Sequence, residues 1–296
     1  MSSRSMTPVH WAIRLLAVVA GAGVPAIAGG QCVPPANSNE AKLLAFYEAP
    51  IVFATGDAPT ALAFGHVALM GELVGVPTPS RTLQESSYCY AAKQEGTHLA
   101  PVLPRYRVTI GLPAGFAVEG SYLPPVTVDR ARPSLGSLAL AYTRPLLAPG
   151  AGDGPSLALQ LRAHGTLGTV RGPITCPASA LQQTDPSQPC YGTKPSSDTF
   201  YPRSGGGEGS LALQTPNRRF SIYAGTGYTF LSPEFRVGFT NLDGFTDHTL
   251  VEVNLNRIAA FGGVSVAIFG GLDVGAQVYS VPVDLTTWRL AVRYRI

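Results

Sequence analysis

The end of the chain, residues 286–296, alternates strictly between two kinds of side chain. Bulky apolar residues occupy the even positions from Trp288 to Ile296, and three arginines occupy odd positions. Successive side chains of a β-strand point to opposite faces of the sheet. This period of two therefore predicts a strand with one apolar and one basic face.

The same alternation recurs in other segments along the chain. They include residues 66–73, 105–110, 116–122, 157–164 and 272–279. One such strand also suits a soluble sandwich, but the repeated set is typical of a barrel whose apolar face meets lipid and whose other face lines the lumen. The sequence predicts an all-β fold, an antiparallel transmembrane β-barrel over residues 61–296.

The lengths of the connections predict the number of strands. Counting back from residue 296, short turns such as 112–114 and 215–218 alternate with longer connections, and the two very long ones, 77–102 and 172–206, fall on the same side. Barrels of this type have short periplasmic turns and long extracellular loops. The count predicts about ten strands, the first near 61–76.

The stretch 219–240 leaves twelve strands as an alternative. Its apolar residues change from even to odd positions near Leu231-Ser232-Pro233, and residues 249–268 show a matching change. We interpret the two as one long hairpin with paired bulges, which reset the phase of a strand, and with an upper half above the membrane. A break at Pro233 would instead give twelve strands.

Residues 1–28 have the features of a secretory signal peptide. Arg4 and Arg14 supply positive charge, 15–22 is a short apolar stretch, and Ala26-Ile27-Ala28 is a small-x-small cleavage site. An uncleaved anchor helix is the alternative. We expect the signal peptide to be cleaved.

Residues 29–60 do not alternate. Asn37 or Ser38 could cap a short helix from Asn39 to Tyr47. This segment is expected to plug the lumen or to lie against the periplasmic rim.

Four cysteines follow the signal peptide, and an exported protein lies where disulfides persist. Cys176 and Cys190 flank a stretch rich in Pro, Gln and Ser, which predicts a loop-closing disulfide. Cys32 and Cys89 would pair by elimination, which requires residues 33–60 to thread upward through the lumen. None of the spacings indicates a metal site, and no cofactor is expected.

Composition agrees with a membrane protein. Only 13% of residues are charged and mean hydropathy is +0.16, whereas a soluble domain has about 25% charged residues. The one apolar run of helical membrane-spanning length is at the N-terminus. The net charge of +3 includes no basic stripe, so no nucleic-acid partner is expected.

The terminal pattern Trp288-x-Leu290-x-Val292-x-Tyr294-x-Ile296, together with the signal peptide and the strand set, resembles bacterial outer-membrane β-barrel proteins. It is similar to the signal that the barrel assembly machinery reads, although the usual last residue is phenylalanine. The resemblance implies location in the bacterial outer membrane, with its lipid and the assembly machinery as partners. It identifies no subfamily.

The alternation assigns a set of polar side chains to the lumen. They are His66, Glu72, Arg105, Arg107, Glu119, Arg162, His164, Asp273, Gln277, Tyr279, Arg289, Arg293 and Arg295. Charges in a wall of low dielectric need partners, so we interpret the set as a structural salt-bridge network. The alternative is a cation-rich constriction that favours anionic solutes.

No pair of nucleophile and base stands out, so no enzyme is expected. Omptin proteases are ten-stranded outer-membrane barrels with acids and a histidine on external loops. Here Asp243, Asp247 and His248 share one loop. The omptin pattern also needs an acidic pair on a second loop, and the loop 124–132 has only Asp129. We interpret these residues as a solvated loop, and a surface protease is the weakest hypothesis.

The expected function is passive transport, or a channel, for small or hydrophobic solutes. It is an analogy from architecture with plugged fatty-acid-type transporters. The alternative is a closed barrel that displays 77–102, 172–206 and the 220–268 hairpin for adhesion or structural contact.

Overall fold

A computed structural model describes residues 30–85, 87–89, 101–128, 130–147, 154–217 and 219–296. Ten strands form a closed antiparallel β-barrel. They are β1 (Val67–Gly75), β2 (Val102–Gly111), β3 (Phe116–Leu123), β4 (Arg132–Leu147), β5 (Ser156–Gly172), β6 (Arg203–Gln214), β7 (Phe220–Leu231), β8 (Leu255–Phe269), β9 (Leu272–Val281) and β10 (Leu285–Arg295). β10 pairs with β1, with Leu290 opposite Leu73, so the cylinder closes. The ten-strand prediction is confirmed, and the twelve-strand alternative is wrong.

The two ends of the cylinder differ. Short turns lie at one end, which we call the lower end; they include the 3-10 turn Pro113–Gly115 and the pair Gly270–Gly271 between β8 and β9. Both glycines have positive φ, which a tight hairpin turn requires. The longest connections lie at the opposite, upper end, as the connection lengths predicted.

Apolar side chains cover the outer face of the barrel. They include Leu69, Val108, Ile110, Leu140, Leu161, Ile222, Val278, Trp288 and Leu290, each more than a third exposed. A soluble monomer rarely exposes so large an apolar surface, whereas a bilayer covers it. The fold is a transmembrane β-barrel. Separately, none of the helices in the described residues is long and apolar enough to cross a membrane.

β7 and β8 continue above the barrel as one hairpin, whose residues 232–254 we call the extension. Its short strands are Glu234–Arg236, Phe239–Thr240, Thr246–Asp247 and Leu250–Glu252. Asp198–Tyr201 pairs with its outer edge, and Gln31–Cys32 runs parallel to Leu250–Glu252. The prediction of a single long hairpin is therefore confirmed.

The predicted paired bulges are wrong. Leu231 pairs with Leu255 and Phe235 with Val251, so the register does not shift across Ser232 and Pro233. The odd positions stay buried through Leu231, Phe235 and Phe239. The change lies in the interior of the barrel, which is apolar at the level of the extension. The inward-facing apolar residues there were therefore interpreted as lipid-facing.

Helix α1 (Asn39–Glu48) lies inside the upper end, with the short α2 (Arg81–Gln84) beside it. Ser38 caps α1, because its hydroxyl accepts a hydrogen bond from the Ala41 amide at 3.1 Å. Residues 49–60, which we call the plug, then descend through the lumen to β1. The predicted N-terminal helix is present. Of the two placements expected for this segment, the structure has the plug in the lumen.

Both predicted disulfides are present. Cys176–Cys190 closes the loop that contains the 3-10 turn Ala178–Ala180, and Cys32–Cys89 ties the strand before α1 to the β1–β2 loop. The second bridge is possible because the N-terminal segment enters the lumen from the upper end.

The lumen has two chemically different halves. The upper half is an apolar core in which α1 packs against the wall and the extension; its members include Leu43, Leu44, Phe46, Leu135, Val170, Phe200, Phe235, Val251 and Phe261. The lower half contains the charged residues. The assignment of only polar side chains to the lumen therefore describes the lower half, and it is wrong for the upper half.

The apolar residues of the outer face, which we call the outer belt, lead to a testable prediction. Leu290 lies in the middle of β10 and is 47% exposed, so Leu290→Arg would place a cation against the hydrocarbon. Such changes near the bilayer midplane cost about 2–4 kcal/mol. We expect urea titration in lipid vesicles to show this loss, and Leu242→Arg, on the extension, to change stability little. Equal effects of the two variants would contradict a lipid-covered belt.

Candidate functional site

Buried charges of opposite sign alternate around the lower half of the lumen. Glu72 contacts Arg107 at 3.1 Å and Arg289 at 3.3 Å. Glu119 contacts Arg107 at 2.8 Å and Arg162 at 2.9 Å. The side chains come from β1, β2, β3, β5 and β10, so the chain of ion pairs crosses the interior from wall to wall.

The arginines of this network also hold the plug. Arg105 donates to the carbonyls of Ile51 at 2.6 Å and Val52 at 3.2 Å. Arg107 donates to the Ala54 carbonyl at 2.9 Å, and Arg162 donates to the Phe53 carbonyl. The plug backbone is irregular here, so wall side chains supply hydrogen bonds that a ladder would otherwise provide.

The Phe53 side chain fills the space among these guanidinium groups. Its ring centroid lies 4.2 Å from Cζ of Arg107 and 4.8 Å from Cζ of Arg162. The ring is completely buried. Cation–π contact and packing together close the lumen at this level.

A second charged cluster lies nearer the lower end. Asp273 accepts hydrogen bonds from Arg293 at 2.7 Å and from Arg295 at 2.9 Å. Arg293 also contacts Asp57 of the plug at 2.9 Å. The plug is thus tied to the wall at two heights.

The other predicted lumen residues have different positions. Gln277, Tyr279 and His164 are buried. Cζ of Arg289 lies 4.4 Å from the ring centroid of Tyr279, and Nε2 of His164 lies 3.6 Å from Oε1 of Glu208. His66 is exposed at the lower rim, and its assignment to the lumen is wrong. β1 begins only at Val67, so the alternation was extended one residue too far.

The sequence prediction missed two charged residues of the site. Glu208 contacts Arg162 at 3.3 Å and accepts a hydrogen bond from the Thr55 amide at 2.9 Å. It follows the glycine run 205–207 in β6, where three glycines in succession hide the alternation of the strand. Asp57 belongs to the plug, whose irregular backbone has no period that could have revealed it.

The described arginines of the lumen all contact carboxylates or plug carbonyls. A constriction lined by free cations is therefore not present in the part of the chain that the structure describes. Among those residues no group of three His, Cys, Asp or Glu side chains could hold a metal ion.

Asp247 is one of the loop residues on which the protease hypothesis rests. Asp247 accepts hydrogen bonds from the amide and hydroxyl of Thr249, as a turn residue does. Asp129 and the signal peptide, residues 1–28, lie outside the described residues.

An apolar pocket of about 280 Å³ lies above the network, between α1 and the wall. Leu44, Tyr47 and Ile51 line its inner side, and Leu103, Leu135 and Val170 line its outer side. This pocket was not predicted from the sequence. The inward positions of Phe235 and Val251, once recognised, are the signal that could have indicated it.

Glu40 is the one charged residue that lines this pocket among the described residues. Its carboxylate accepts hydrogen bonds from the backbone amides of Ser87 at 2.8 Å, Tyr88 at 2.6 Å and Cys89 at 3.0 Å. These bonds attach α1 to the loop beside the Cys32–Cys89 bridge. The carboxylate of Glu40 is thus occupied by these backbone amides and is not available to a ligand.

Comparison with known proteins gives only distant matches. No protein-family model matches the sequence, and no curated protein matches it at a significant level. Ail of Yersinia pestis, solved in complex with the heparin analogue sucrose octasulfate, aligns at 8% identity over 79% of this chain and 100% of its own, with a TM-score of 0.26. Outer membrane phospholipase A from Escherichia coli aligns at 10% identity over 84% of this chain and 96% of its own, also with a TM-score of 0.26. At these scores the fold assignment depends on the strand pairing and outer surface of the chain itself.

The ion network generates a stability test. Glu119→Ala leaves Arg107 and Arg162 buried without one of their counter-charges, which costs roughly 3–5 kcal/mol. Glu234→Ala removes the partner of the half-exposed Arg203, where about 0–1 kcal/mol is expected. Urea unfolding in vesicles checks both. A small effect of Glu119→Ala would show that the network contributes little.

Glu48 leads to a prediction about how the stability of the protein depends on pH. It is fully buried at the end of α1, and burial raises the pKa of its carboxyl well above the usual range, against a smaller opposite effect of the Arg203 backbone. The folded state therefore keeps its proton to higher pH than the unfolded state, and stability falls as pH rises through the raised pKa. Glu48→Gln should match the parent protein near pH 4 and exceed its stability near pH 8. Equal urea midpoints at both pH values would contradict this.

Proposed function

We propose that this protein resides in the bacterial outer membrane and mediates passive uptake of small hydrophobic solutes. The observation that carries the proposal is the apolar pocket, which lies inside a barrel whose lumen is otherwise filled. Its volume is near the lower limit of ordinary small-molecule sites, about 300–1,000 Å³.

The filled lumen favours this function over a water-filled pore. The plug, Phe53 and the paired charges occupy the cross-section below the pocket. A barrel of this size has little bore once its side chains are packed. The described residues leave polar solutes no open path, whereas the apolar pocket offers a site for an apolar solute.

The proposed location rests on the outer surface and the disulfides. The apolar belt requires lipid, and two disulfides are typical of a protein outside the reducing cytoplasm. Outer-membrane lipid and, during biogenesis, the barrel assembly machinery are the proposed partners. Cleavage of residues 1–28 is part of the same proposal.

Filling the pocket tests the function. Leu135 lines the pocket and is buried, whereas Leu138, on the same strand, is 63% exposed on the outer face. In bacterial cells with an intact lipopolysaccharide leaflet, expression should raise uptake of N-phenyl-1-naphthylamine, a neutral dye that fluoresces in lipid. Leu135→Trp should lower the initial rate toward that of empty-vector cells, and Leu138→Trp should leave it unchanged.

Folding of each variant is checked by its heat-modifiable migration on a denaturing gel. If expression of folded protein does not raise the rate, or if both tryptophan variants behave alike, the pocket is not a transport site. Display of the upper loops for adhesion would then become the better hypothesis.

A further inference from the structure

The barrel wall is not uniformly paired. β2 and β3 pair from Gly111–Ala117 up to Arg107–Ser121, the last pair between them in the described residues. β2 continues upward to Val102, where its other edge still pairs with Gly75 of β1. β3 likewise continues to Leu123, which still pairs with β4. The two strands therefore separate near the upper end, and we call this gap the seam.

The residues along the seam suit an open edge. Pro104 lies on the β2 side, and Pro124 and Pro125 follow the last residue of β3. Proline has no backbone N–H, so it leaves no unsatisfied donor where a neighbouring strand is missing. Beyond Pro125 the chain turns on itself, since Val128 and Ala131 pair with each other.

The pocket reaches this seam. Leu103 and Tyr106 line it from β2, and Leu123 and Val126 line it from the β3 side. Tyr106 is 67% exposed and Val126 is 61% exposed. Tyr106 points outward like the other even residues of β2, so a residue of the lipid-facing surface also borders the pocket.

The path downward from the pocket is closed. Arg105, one residue from the seam tyrosine, binds the carbonyls of Ile51 and Val52. Phe53 and the ion pairs lie directly below. The seam is therefore an apolar route by which a solute could leave the pocket toward the lipid-facing surface.

We propose that the seam between β2 and β3 is a lateral opening through which an uncharged hydrophobic solute passes from the pocket into the bilayer. This rests on the proposed function. The solute is uncharged because the one described charge in the lining, Glu40, is already bound by backbone amides, and a buried ion without a partner is strongly disfavoured.

Closing the seam tests the proposal. If the β2–β3 register continued upward, Tyr106 would face Tyr122, so the double variant Tyr106→Cys/Tyr122→Cys places thiols on opposite sides of the gap. The control Val118→Cys/Leu140→Cys places thiols on two outward residues that are directly paired between β3 and β4. Uptake of N-phenyl-1-naphthylamine is measured before and after treatment with a short bifunctional thiol reagent, and cross-linking is confirmed by mass spectrometry.

Cross-linking at the seam should lower uptake to the empty-vector rate, and cross-linking of the control pair should not. If uptake remains sensitive to Leu135→Trp but indifferent to the seam cross-link, transport stands and the lateral route is overturned. If no variant shows uptake above vector, the proposed function itself fails, and the two outcomes are distinct.

The charge of the solute is tested with the matched dye 8-anilino-1-naphthalenesulfonate, which has the same ring system and a sulfonate. Expression should not raise its uptake. An increase equal to that of the neutral dye would overturn the restriction to uncharged solutes.

Discussion

An irregular backbone inside a membrane barrel must have its polar groups satisfied by the wall, and much of this structure depends on that constraint. The plug makes no ladder, so its carbonyls would be unpaired at membrane depth. Arg105, Arg107 and Arg162 donate to them, and Glu208 accepts from the Thr55 amide. Those arginines in turn need the carboxylates of β1, β3 and β6. Plug and ion network are therefore connected in a single set of hydrogen bonds and ion pairs.

The difference between the lower and upper halves of the lumen explains how so narrow a barrel can contain the apolar pocket. In the lower half, ion pairs and hydrogen bonds hold the plug. The upper half is filled by α1 and the extension, which pack as an ordinary apolar core with one space left against the wall. Because the two halves are separate, Glu40 is the one charged residue in the described lining of the pocket, although six arginines predicted for the lumen lie in the same cylinder.

The sequence could predict those features that repeat with a period of two. The ten strands, their outward faces and most inward charges, such as Glu72 and Arg162, followed from alternation and turn length. Where the period does not apply, the prediction failed: His66 precedes its strand, and Asp57 belongs to an irregular segment. Phe235 and Val251 show a different limit of the prediction. Alternation separates the two faces of a strand, but it does not say which face points into the barrel. Only the position of α1 in the upper lumen makes their side apolar.

The Cys32–Cys89 bridge constrains how the N-terminal segment can move. One end of that segment is covalently attached to the upper loop, and its other end continues into β1 at the lower rim. The two anchorages lie at opposite mouths of the cylinder, so the segment cannot be expelled while the wall remains closed. Any gating by this segment is restricted to rearrangement in place, and ejection would first require reduction of the bond.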